Sequence, residues 1–70
     1  MLTEQYIVNK RKNLIAARKI FKGNINEIYP ATNDRDRENI AFYKEELNCI
    51  NIELDLINII LEKEPGDYNA

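Results

Sequence analysis

The side chains that could do chemistry fall into three groups: the lone thiol of Cys49, the carboxylates Glu45, Glu46, Glu53, Asp55, Glu62 and Glu64, and the basic run Lys10, Arg11, Lys12, Arg18, Lys19 and Lys22. A nucleophilic thiolate needs a base or positive charge beside it. On a helix the neighbours of Cys49 at three and four residues are Glu45, Glu46, Ile52 and Glu53, and the sequence contains no histidine. Cys49 is therefore expected to act as a small hydrophobe rather than a catalyst. Metal sites on helical bundles pair Glu with a Glu-x-x-His arrangement, which is absent, so no metal and no cofactor is expected. The basic run could neutralise phosphates. The simpler expectation is that a basic first helix lies against an acidic second one, leaving nucleic-acid binding through Lys10, Arg11, Lys12, Arg18, Lys19 and Lys22 as the alternative.

The elements that must carry these groups are helices. Seventy residues with a net charge of −2 make a single domain. A core of this size contributes only about 3 to 5 kcal/mol. One cysteine excludes an internal disulfide, and the missing histidines remove the usual zinc sites, so association is the expected source of further stability. No apolar run approaches the roughly 18 residues of a membrane span, and the N-terminus lacks a secretion-signal layout, so a cytoplasmic protein without membrane contact is expected. No stretch alternates with period two. The predicted fold is all-α, an antiparallel hairpin of a short helix 1 and a long helix 2, in a domain spanning 1–64 with a flexible tail at 65–70. Helix 1 is expected from the Thr3 cap to Lys22, stopped by Gly23. A single helical turn is expected between Asn24 and Tyr29, before Pro30. Thr32, Asn33 or Asp34 caps helix 2, which should continue to Pro65.

Helix 2 carries the strongest pattern. Ile40, Tyr43, Leu47, Ile50, Leu54, Ile57 and Leu61 follow strict 3,4 spacing, the a/d seam of a coiled coil or bundle. Phe42, Cys49, Ile52, Leu56 and Ile59 fall at c and f of the same register, about 150 degrees around the helix. An ordinary surface helix needs only one apolar stripe. Helix 1 offers Ile7, Leu14, Ala17 and Phe21, with Tyr6, Ile15 and Ile20 alongside, and can cover one seam. The second seam, with binding residues Cys49, Ile52, Leu56, Ile59 and Ile60, then requires a partner. A homodimer forming a four-helix bundle, a protein target, or both would supply it. Helix 2 is also expected to overhang its shorter companion.

Asn51-Ile52-Glu53-Leu54-Asp55 with Ile57 resembles the Ser-Gln-Glu-Leu-Asp signature of short helical-hairpin phosphatases that act on phosphorylated response regulators, and Lys10 to Leu14 loosely echoes their first helix. Asn51 and Ile52 stand where that signature has Ser and Gln, so no catalytic role carries over. The function expected is a non-enzymatic protein-interaction module, a regulator or inhibitor docking an apolar helix face into a partner. A structural or assembly component is a third reading. Eleven Ile and ten Asn among the 70 residues reflect AT-rich coding. A short chain of this kind suits a phage or mobile element aiming at host regulation or defence.

Overall fold

The computed structural model describes residues 3–69. Two helices, α1 (Glu4–Ile28) and α2 (Asp34–Ile60), pack antiparallel into a rod of 45 × 20 × 17 Å. The helical hairpin expected from the sequence is the fold.

Each helix begins at a side-chain cap that satisfies an otherwise orphaned amide. Thr3 Oγ1 accepts from the Tyr6 amide at 3.1 Å, and Asn33 Oδ1 accepts from the Asp36 amide at 2.8 Å. Of the three candidate caps for α2, Asn33 is the one used, and Asp34 and Asp36 occupy the first turn, where negative charge suits the helix dipole.

Helix 1 does not stop at Gly23. It continues through Gly23 to Ile28, absorbing the separate turn expected at 25–29, and its last hydrogen bond runs from the Tyr29 amide to the Ile25 carbonyl at 2.9 Å. The half-buried Ile25 and Ile28 explain why: extending the helix places both on the hairpin's inner side. That burial outweighs the cost of about 1 kcal/mol for an interior glycine. The connection shrinks accordingly to residues 29–33, within which the Tyr29–Pro30 peptide is cis. With 25 and 27 residues the helices nearly match in length, so the expected overhang of α2 does not occur.

The a/d seam of α2 faces α1. Ile40, Ile50, Leu54 and Ile57 are buried, Leu54 completely, and Ile15 of α1 completes the central cluster with Leu14, Ala17 and Phe21 at its margin. Phe21 meets Tyr43 with ring centroids 5.7 Å apart.

α2 ends at Ile60 rather than at Pro65. The Lys63 amide bonds to the Asn58 carbonyl at 2.7 Å and the Glu62 amide to that of Ile59 at 3.1 Å, with Glu62 in the left-handed region at φ 59°. This is a Schellman stop, with glutamate in the position glycine usually fills. It turns the chain back on itself, and Gly66 to Asn69, within the segment expected as a tail, lie along the hairpin as a strap; Ala70 lies outside the described residues.

Candidate interaction face

α1 carries a seam of its own that the sequence disguises. Ile7, Arg11, Leu14, Arg18, Phe21, Ile25 and Ile28 alternate by four and three, with arginine at two of the seven positions. Both arginines meet asparagines at e positions of α2. Arg11 Nε donates to Asn58 Oδ1 at 2.8 Å, and Arg18 Nε donates to Asn51 Oδ1 at 2.9 Å.

The strap completes these sites. Arg11 Nη1 donates to the Asn69 carbonyl at 2.7 Å and Nη2 to the Asp67 carbonyl at 2.9 Å. The Asp67 carboxylate lies 3.6 Å from Nη2. Asn58 Nδ2 also donates to the Asp67 carbonyl, at 2.8 Å. Arg11 is only 6% exposed and Asn58 is fully buried, and among the described residues no buried side-chain nitrogen or oxygen lacks a partner. Next to this site, the Arg18 guanidinium sits 4.5 Å from the centre of the Tyr68 ring, a cation–π contact. The Tyr68 hydroxyl donates to Asp55 Oδ1 at 2.9 Å, and the same oxygen accepts from the Gly66 amide at 2.9 Å. Burial first, then the hydrogen bond to Asp55 and its negative charge, push the Tyr68 phenol above its usual value, and the Arg18 charge opposes them.

The basic run is thereby divided. Arg11 is enclosed and Arg18 is half-buried under Tyr68, while Lys10, Lys12, Lys19 and Lys22 are exposed. The two arginines, which offer the bidentate geometry best suited to phosphate, are engaged within the fold. Asn51 and Asp55, at the ends of the phosphatase-like pentapeptide, hold Arg18 and the strap. These partnerships leave no mark in the residue pattern, because an arginine in a heptad seam reads as an interruption until its asparagine partner is located on the other helix.

Among the described residues, no such segment covers the opposite flank of the hairpin. Ile52, Leu56, Ile59 and Ile60 are each more than half exposed, as is Phe42, and Cys49 lies exposed among them. These are the residues expected to form the second seam, and α1 leaves all of them open. Between this face and α1 runs an open apolar groove walled by Tyr6, Ile7 and Lys10 on one side and by Leu56, Ile57 and Ile60 on the other. The hairpin therefore has one flank closed by its own strap and one flank open and apolar. Among the described residues no three His, Cys, Asp or Glu side chains are grouped to hold a metal ion, and no helix is long and apolar enough to cross a membrane.

Compared with known proteins, the chain matches no family model, no curated protein and no solved structure.

Proposed function

We propose that this chain is a non-enzymatic protein-interaction module, a regulator or inhibitor whose working surface is the apolar face of α2. The observation that supports the reading is the continuous exposed row Cys49, Ile52, Leu56, Ile59 and Ile60 on a helix whose opposite seam is already buried. Burying a large aliphatic side chain contributes about 1.5 to 3 kcal/mol. Leaving four of them in water costs a domain of this size a stabilisation comparable with its whole folding free energy. Anchors at this spacing are those of a helix laid against an apolar surface. The Ile- and Asn-rich composition suits a phage or mobile-element product directed at host regulation or defence. Nucleic-acid binding by the basic helix is the weaker alternative, since Arg11 and Arg18 are occupied within the hairpin.

Photo-crosslinking tests the reading directly. A photoreactive residue in place of Ile59 should capture protein, and Leu56→Asp in the same chain should abolish capture, whereas the same group in place of Lys19 should capture none. Adducts from the Lys19 position alone, or nucleic acid captured there, would transfer the function to the basic face.

A further inference from the structure

We propose that the occupant of this face is a second copy of the chain, docked antiparallel about a two-fold axis between Cys49 and Ile52, so that two hairpins form a four-helix bundle. The inference rests on the reading of α2 as the working surface and names what covers it.

Surface area supports a second copy. A compact monomer of this mass exposes about 4,500 Å². This chain of 8.2 kDa exposes 5343 Å². The excess is about 800 Å², which is what each partner contributes to a standard stable interface. The open groove beside Leu56 and Ile60 gives the second α2 a seat between the two helices of the first.

Charge selects the direction. The acidic side chains on the open face, Glu38, Glu45 and Glu53, are all exposed. Parallel pairing in register would set each against its own copy, and like charges directly opposed are unfavourable. Antiparallel pairing with Cys49 opposite Ile52 of the other copy places Phe42 against Ile59, Glu45 against Leu56, and Glu53 against Asn48. Glu45 then meets an apolar stem and Glu53 an amide, instead of their own copies. A symmetric pair of this kind closes on itself and leaves no open edge for further growth.

Sedimentation equilibrium of the full chain at micromolar concentration should give twice the mass of 8.2 kDa. Ile52→Asp should weaken the association about tenfold or more while the far-ultraviolet helical signal persists, because Ile52 is exposed in the single hairpin. Phe42→Asp should also weaken it, a second test at a position that is 55% exposed in the single hairpin and does not depend on a core substitution. A wild-type chain that stays monomeric, or a dimer indifferent to Ile52→Asp or to Phe42→Asp, overturns the proposal. If the chain is monomeric while the residue-59 probe still captures other proteins, self-pairing is wrong and the working surface stands. If neither contact forms through this face, the reading of the surface itself is lost.

Discussion

Arg11 donates from Nε to Oδ1 of Asn58 in the buried interior of the hairpin, and one heptad away Arg18 repeats the bond to Asn51. The two rungs set the register of the antiparallel helices, because sliding either helix by one residue would separate both pairs at once. A polar residue at a seam position commonly fixes register at a cost in stability. Here the strap lowers that cost by giving the remaining Arg11 nitrogens the carbonyls of Asp67 and Asn69.

Arg11→Ala should destabilise the fold by about 3 kcal/mol, since it takes the donor from the buried Asn58 Oδ1 and from the Asn69 carbonyl and removes one of the two donors to the Asp67 carbonyl. Arg11→Lys should recover little, because one ammonium cannot reproduce three divergent donors. Replacing both partners, Arg11→Leu with Asn58→Leu, removes the polar pair from the seam but takes both donors from the Asp67 carbonyl, so its midpoint should not rise above that of Arg11→Ala. Urea unfolding midpoints of the three variants decide the matter. If Arg11→Ala unfolds with the wild-type midpoint, the rung has no energetic role.

Gly23→Ala should stabilise the protein by about 0.5 to 1 kcal/mol. Gly23 sits inside α1, and a methyl group added there meets nothing within 4 Å. The gain should appear as a higher thermal midpoint with unchanged association. A loss of stability would mean that α1 breaks at this position.

How far the sequence could be read follows from such residues. The a/d seam of α2 was legible because its apolar positions repeat without interruption, and the exposed second face followed from the same register. Gly23 and Pro65 were misleading as punctuation because local propensity is weak beside burial and capping. Ile25 and Ile28 carry α1 past the glycine, and the Schellman turn ends α2 before the proline is reached. The enclosure of Arg11 by Asn58, Asp67 and Asn69 was not legible at all. Its parts lie at four separate places along the chain, and each is an ordinary surface residue until the fold assembles them.

Glu62→Gly should stabilise the chain by about 1 kcal/mol, the cost that an L-residue carries in the left-handed region. Glu62 is held at φ 59° by the turn that directs the strap back over α1, and its carboxylate also sits at the negative end of the α2 dipole. Glu62→Gln separates the two effects, since it removes the charge and keeps the backbone cost. Thermal midpoints should therefore rank wild type lowest, Gln next and Gly highest. The Gly variant falling below wild type would mean that the turn depends on the glutamate side chain.

Alkaline pH should loosen the strap through Tyr68. Its phenol is pushed above the usual value by burial and by Asp55, so the native state holds the proton more tightly than the unfolded chain does. By linkage, the stabilisation is fully present below about pH 10, the ordinary phenol value. It declines as pH rises toward the raised native value, because ionised Tyr68 would place its oxygen anion against the Asp55 carboxylate that now accepts its proton. Tyr68→Phe keeps a ring over Arg18 but has nothing to ionise there. At neutral pH this variant should therefore be modestly less stable than wild type, having lost one hydrogen bond worth about 1 kcal/mol. Above about pH 10 the difference should shrink, because wild type alone loses the contribution. Urea midpoints measured for both chains across that range, with amide exchange at Asp67 and Asn69 reporting the strap, test the coupling. Parallel pH profiles for wild type and Tyr68→Phe would show that the strap is held independently of this proton.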